Sequence, residues 1–299
     1  MRAAVILGLG TSTRDLRPFQ KATKTDWITG LPADREGVDA ILIFGGDGTV
    51  HRHLASLVKL GLPVLVVPAG SGNDFARALG LRRVQDSRDA WQQFAARESM
   101  ARTIDLGLIT ERTLRSSNEG PKTHYFSCAA GVGLDGEISR RANALPRWLR
   151  GHGGYALSLA PALLAFRAFQ LNLRVEQPEA CATTSKESNQ TVLAAVFANT
   201  PVYGGGMHIA PRARLDDGQL DICLIHEINR LKLMGVFPLV YFGRHLRVRE
   251  VEYYNAEQAR VDTERPMDVY ADGEYVCRTP IHVSVARGAL RVIVPAEAT

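Results

Sequence analysis

The chain opens with its apolar residues gathered into short runs. Residues 3–10, AAVILGLG, and 39–44, DAILIF, show almost no polar alternation, the pattern of strands covered on both faces. Val50, Leu54, Leu57 and Val58 then recur at helical spacing, and residues 62–67, LPVLVV, form another apolar run. Strand, helix and strand on short connections make a βαβ crossover, so the spacing predicts a parallel sheet with helices on its faces. A further helix is expected over 87–97.

Beyond about residue 103 strand-length runs dominate: 124–131, 169–176, 191–200, 219–227, 248–256, 267–277 and 281–295. The segments ADGE (271–274) and ARGA (286–289) read as hairpin turns, which makes this half largely antiparallel. Helices are expected around 136–168 and 230–243. The polar segments 111–123 and 177–190 read as exposed loops. At 299 residues two cores are expected. The predicted organisation is an α/β, Rossmann-like N-terminal domain over residues 1–103 and a β-rich C-terminal domain over 104–299.

A composition 45% hydrophobic and 22% charged is that of a soluble globular protein. The net charge of +5 suits an anionic partner without choosing among nucleotide, nucleic acid and acidic membrane. Cys128, Cys181, Cys223 and Cys277 are scattered, which disfavours a zinc site or a disulfide framework. The apolar start is too short for a signal peptide, and residues 155–166 are too short to span a bilayer. A cytoplasmic location is expected.

Two glycine-rich segments follow the paired strands, GGDGTV at 45–50 and PAGSGNDFA at 68–76. Both fall at strand carboxyl ends, where open α/β sheets bind ligands, and glycine lets backbone amides approach an anion. Ordinary strand-to-helix turns, with Asp74 capping the helix that follows, would look the same. Asp47 argues for more than a turn, because a carboxylate beside phosphate is repulsive unless a divalent cation or its water lies between them.

GGDGT followed by PAGSGNDFARALG resembles the diacylglycerol kinase catalytic-domain family, the group of bacterial soluble lipid kinases related to diacylglycerol, sphingosine and ceramide kinases. The likeness continues through RTIDLG (102–107), AAGVGLDGEI (129–138), ANTPVYGGGMHIAPRARLDDGQLDICLI (198–225) and ADGEYV (271–276). The resemblance implies an ATP-binding first domain, a β-sandwich-like second domain that takes the lipid, and an active site in the cleft between them. Gly45, Gly46, Asp47, Gly48 and Thr49 would form the nucleotide loop, completed by Gly70 and Ser71. Asp47, Asp74 and Asp105 would belong to a network around Mg2+. Asp217, with backbone carbonyls of Arg214 and Gln219, would form a structural magnesium loop, and Glu274 would accept the proton of the lipid hydroxyl. Asp135 matches a residue that contacts the lipid head group.

Taken residue by residue, Asp105 also reads as a turn residue, Asp135 as a helix cap, and Asp272-Gly273 as a hairpin turn that would make Glu274 unremarkable. The segment 140–150, with Arg140, Arg141, Arg147, Arg150 and Trp148 beside an apolar run, suits either interfacial docking on anionic lipid or a core helix with solvated arginines. Two positions depart from the family pattern. His51 and Arg52 stand where many members have an Asn-Glu pair, and the turn after the first strand lacks the usual Asn-Pro, leaving Thr25 and Thr29 as candidates for an adenine-side threonine.

The function expected is ATP- and Mg2+-dependent phosphoryl transfer to a lipid hydroxyl, diacylglycerol by default. An NAD kinase-like enzyme and a catalytically weak nucleotide- or lipid-binding regulator are the alternatives. The expected partner is lipid at a membrane surface, met peripherally; nucleic acid is not expected, and a homodimer is left open.

Overall fold

The computed structural model describes residues 1–112, 120–144, 163, 166–178 and 183–295. Strands β1 (Arg2–Leu7), β2 (Asp26–Thr29), β3 (Ala40–Gly45) and β4 (Val64–Pro68) form a parallel sheet in the order β2-β1-β3-β4. Helices α1 (Thr13–Ala22), α2 (Asp47–Leu60), α3 (Asp74–Ala78) and α4 (Val84–Ala95) accompany it. β3 is buried along its whole length, which explains its unalternating sequence. Helix α1 is mostly polar, with only Leu16 and Phe19 buried at helical spacing, and it escaped the sequence reading. It is started by a capping box, in which Ser12 Oγ accepts from Arg14 N–H and the Ser12 N–H donates to Asp15.

The second half holds β5 (Arg102–Glu111), β6 (Thr123–Phe126), β7 (Ala129–Gly133), α5 (Leu134–Ala144), β8 (Phe169–Pro178), β9 (Thr183–Ala198), β10 (Leu220–His226), α6 (Arg230–Val240), a 3-10 turn at Arg244–Arg247, β11 (Val251–Ala256), β12 (Gln258–Thr263), β13 (Asp268–Ala271), β14 (Glu274–Arg278) and β15 (Ile281–Val292). All of its pairings are antiparallel except the last residue of β15, Val292, which pairs in parallel with Val64 of β4. The expected class, a parallel α/β layer followed by a mainly antiparallel β-sandwich-like domain, is the fold observed.

Three local expectations differ. The polar segment 177–190 is mostly strand, because β8 offers it a complete ladder. Its polar side chains are used across the hairpin, Asn172 Nδ2 donating to Glu187 at 3.1 Å and Gln170 Nε2 to Thr191 at 2.7 Å. The single strand expected over 124–131 is broken at Ser127-Cys128, where the backbone amides turn to a carboxylate.

ARGA makes no hairpin: β15 runs through it with a bulge between Ala286 and Leu290. The bulge uses Gly288 at φ 59°, and beyond it the strand end pairs with β4, so the parallel and antiparallel parts form one continuous sheet. Leu290, Val292 and Ile293 consequently pack in the same core as Ile41, Phe44 and Trp91. A second core, around Phe126, Leu171, Phe197 and Val261, lies within the β-rich half. The helix expected over 136–168 is described as α5 only; Trp148, Arg147 and Arg150 lie outside the described residues.

Candidate active site

β3 delivers its carboxyl end to GGDGT, and the segment is less a loop than a helix start. Gly46 is the N-cap of α2, and Asp47, Gly48 and Thr49 are its first turn. The amides of Asp47 and Gly48 therefore have no carbonyl one turn earlier inside the helix, the usual make-up of an anion site. Glycine is required by close approach: a methyl on Gly70 would stand 2.4 Å from Gly46 Cα, and one on Gly45 2.6 Å from Thr49. Gly70 is held to Asn73, its N–H donating to Oδ1 at 2.8 Å while Asn73 Nδ2 donates to the Gly70 carbonyl at 2.7 Å. Ser71 is exposed at the tip of this second segment.

Asp47 caps a helix other than its own. Its Oδ2 accepts from Asp74 N–H and its Oδ1 from Phe75 N–H, both at 3.0 Å, so the first glycine segment locks the start of α3. Asp74 is thus not the cap of α3. Its buried carboxylate accepts from Arg77 Nη1 at 2.5 Å and from the Gly205 N–H at 2.6 Å, tying the second glycine segment to the β-rich half. Burial raises the Asp74 pKa despite those donors. Burial, then the neighbouring Asp74 charge, pushes Asp47 up to about 6. A buried carboxylate beside a second one, as Asp47 is beside Asp74, is favoured by a nearby cation.

No group of three or more His, Cys, Asp or Glu side chains converges on a metal position among the described residues. Mg2+ is commonly held by one or two carboxylates completed by phosphate and water, and Asp47 with Asp74 fits that description. Each Asp47 oxygen accepts one amide and keeps acceptor capacity.

Asp105 has a different surrounding. Its Oδ2 accepts from Gly218 N–H at 2.8 Å and its Oδ1 from Gly288 N–H at 2.7 Å, so it clamps the 215–218 turn to the β15 bulge. No hydrogen bond joins it to Asp47 or Asp74. In the 214–219 turn, Asp217 Oδ1 accepts from Gln219 N–H at 3.1 Å, and Asp216, held by Arg102 and Arg214, has its pKa lowered chiefly by the Arg102 hydrogen bond. The Arg287 guanidinium lies over Gly218, where a methyl would stand 2.6 Å from its Nε.

The hairpin β13–β14 turns at Asp272 and Gly273, at φ 51° and 83°, the left-handed pair of a type I′ turn. Asp272 is the residue the sequence reading treated only as turn chemistry. Its side chain is fully buried. Oδ1 accepts from the amides of Cys128 at 2.7 Å and Ala129 at 3.3 Å, and Oδ2 from Ser127 N–H at 2.8 Å, Ser127 Oγ at 3.0 Å and His51 Nδ1 at 3.1 Å. Burial works against its charge, but His51 and these amides outweigh it and hold the carboxyl below the usual range. Burial also disfavours the imidazolium, yet the Asp272 bond and the charges of Asp272 and Glu274 raise the His51 pKa.

That bond seats the hairpin on α2 and places Glu274 against the glycine segment. A methyl on Gly48 would lie 2.9 Å from Glu274 Oε1. Glu274 is exposed, and its carboxylate forms no hydrogen bond or ion pair among the described residues. Arg52, the other departure, is exposed and forms no ion pair among the described residues.

Asp135, in the first turn of α5, is buried, accepts from Tyr203 OH at 2.6 Å, and packs over Gly131. Gly131 pairs with Tyr270 and Ala130 with Ala271, so Asp135 shares a short stretch of sheet with the turn bearing Glu274. Asp135 and Tyr203 edge a pocket with about 630 Å³ of atom-free space, part of it open to solvent, whose walls are otherwise apolar apart from His245. Leu134, Ile138, Met207, Leu233 and Phe237 are among the lining residues. Thr25 and Thr29 remain alternatives at the β2 edge; Thr25 is bonded to Thr23 at 2.8 Å. The three described cysteines are free and buried.

The sequence reading missed His51 and Asp272 as a pair, and the Gly205 contact with Asp74. Each partnership spans more than 130 residues, and no local pattern announces it.

Comparison with known proteins agrees with this arrangement. Residues 16–109 match the diacylglycerol kinase catalytic domain, and residues 128–294 match the YegS C-terminal NAD kinase beta sandwich-like domain. A diacylglycerol kinase of Mycobacterium tuberculosis is 32% identical over 266 residues, covering 87% of this chain and 78% of that protein. A diacylglycerol kinase of Bacillus subtilis is 26% identical over 87% of this chain and 78% of its own length. The crystal structure of a diacylglycerol kinase from Bacillus anthracis superposes with a TM-score of 0.65 at 18% identity, covering 98% of this chain and 96% of that one. With both halves matched in order and the glycine segments, hairpin and pocket in place, the chain belongs to the diacylglycerol kinase-like family of lipid kinases and is a phosphotransferase.

Proposed function

We propose that the protein transfers the γ-phosphoryl group of ATP, in the presence of Mg2+, to the hydroxyl of diacylglycerol. The observation that carries this reading is the Glu274 carboxylate, without a hydrogen bond or ion pair among the described residues, held against Gly48 at the amino end of α2 and on the same sheet stretch as the Asp135–Tyr203 edge of the apolar pocket. The first-turn amides of α2 and the Gly70 segment receive the phosphates, and Asp47 with Asp74 hold the cation. Bound magnesium would neutralise phosphate charge, the main demand of a loose phosphoryl-transfer transition state. Glu274 accepts the hydroxyl proton as the oxygen–phosphorus bond forms and the bond to the departing ADP breaks. Asp272 and His51 keep the hairpin in register on α2. The apolar pocket receives acyl chain, with Asp135 and Tyr203 at its polar edge.

Purified protein incubated with γ-labelled ATP, Mg2+ and a panel of lipids tests the reading. Labelled phosphatidic acid is expected from diacylglycerol. Label on another lipid would correct the substrate, while label on NAD alone, or nucleotide binding without transfer to any acceptor, would overturn the lipid-kinase chemistry.

A further inference from the structure

Past Arg230 and Lys232 in its first turn, helix α6 carries apolar residues on all sides but is buried on one side only. Leu233, Val236, Phe237 and Val240 face inward and form a wall of the apolar pocket. On the outside, Leu231 is 79% exposed and Met234 47%, and just beyond the helix Phe242 is 73% and Tyr241 38% exposed. A helix of this character normally lies in a core or at an apolar boundary. Its surroundings are basic: Arg230, Arg244, Arg247 and Arg249 are all exposed, and none forms an ion pair among the described residues. Of the acids between residues 226 and 252, Glu250 is already bound by Lys232 and Glu252 by His226, which leaves Glu227 against the four arginines. The surface thus joins exposed apolar side chains to a positively charged surround.

We propose that α6 and the turn after it dock on an anionic bilayer surface. Leu231, Met234, Tyr241 and Phe242 enter the headgroup boundary, and the four arginines face lipid phosphates. Apolar insertion combined with positive charge is the make-up of interfacial helices. The charge selects this occupant over a second copy of the chain, which would bring the same arginines against one another. Docking here sets the pocket wall at the bilayer, so a lipid leaves the membrane beside its binding site; this last step rests on the lipid-kinase reading, whereas the docking surface does not.

Co-sedimentation with vesicles of phosphatidylcholine, or of an equal mixture of phosphatidylcholine and phosphatidylglycerol, tests the proposal. Wild type is expected to favour the mixed vesicles and to release as salt is raised. The double variant Leu231→Ser with Phe242→Ser should bind them at least about tenfold more weakly. Arg244→Glu with Arg247→Glu should abolish the preference for phosphatidylglycerol. Both variants should keep wild-type turnover on short-chain diacylglycerol dispersed in detergent, where no bilayer has to be met. Unchanged vesicle binding in the variants would overturn the proposal, as would a wild-type dimer converted to monomer by the apolar substitutions. Patch-dependent vesicle binding by a protein that phosphorylates no lipid would uphold the docking surface while the functional reading failed.

Discussion

His51 Nδ1 lies 3.1 Å from Asp272 Oδ2, joining the first helix turn after the glycine segment to a hairpin 221 residues later. The pair stands where Glu274 meets Gly48, so it fixes the position of the proposed proton acceptor relative to the proposed nucleotide segment.

The His51 pKa is raised, so the stabilisation by its charged form is complete below its ordinary value of 6.5 and is lost as pH rises through the folded-state value. The Asp272 pKa is lowered, so its contribution is present above 3.8 and is lost only as pH falls through its folded-state value. Both are in force between about pH 4 and 6.5. His51→Ala should therefore cost about 1–2 kcal/mol near pH 6. Urea midpoints of the two proteins should draw together toward pH 9.

Gly48→Ala places a methyl within 2.9 Å of Glu274 Oε1, which the carboxylate must move to avoid. Turnover should fall about tenfold or more with nucleotide affinity little changed, since misplacement of a base acts on kcat. Isothermal titration with a nonhydrolysable ATP analogue, alongside steady-state kinetics, separates the two effects.

Asp47 ionises in the folded protein at about 6, against an ordinary 3.8, so without a cation its ionisation reduces stability as pH climbs through that interval. A cation reverses the preference by favouring the ionised form. The rise in Tm produced by MgCl2 should be larger at pH 8 than at pH 5, and Asp47→Asn should remove most of that difference.

Asp105 supplies both oxygens to backbone amides of two distant segments. Asp105→Asn leaves a buried amide without its acceptor and should cost about 1–3 kcal/mol of stability by urea unfolding. A variant of wild-type stability whose Mg2+ requirement had shifted would assign Asp105 to the cation instead.

The sequence made the parallel sheet readable because β3 and β4 are short, apolar and separated by one amphipathic helical pattern. The glycine segments were readable because close backbone approach leaves no alternative residue type: Gly70 against Gly46 admits no methyl. What stayed hidden depends on contacts between distant parts of the chain. Asp272 looks like any Asp-Gly hairpin until the amides of Ser127, Cys128 and Ala129 converge on it. His51 looked like a loss of family chemistry, yet it fills a place in the fold by partnering that carboxylate. ARGA has the composition of a turn, yet it is a bulge in one long strand, where the Gly288 amide is taken up by Asp105.

The kinetic consequence of Glu274→Gln tests the central claim most directly, because the substitution keeps the size of the side chain and removes its basicity. With ATP, Mg2+ and diacylglycerol in mixed micelles, kcat should fall about 10²–10⁴-fold while ATP binding and thermal stability stay near wild type. A variant with near-wild-type kcat, or one altered only in KM, would contradict the assignment of Glu274 as the residue that takes the hydroxyl proton.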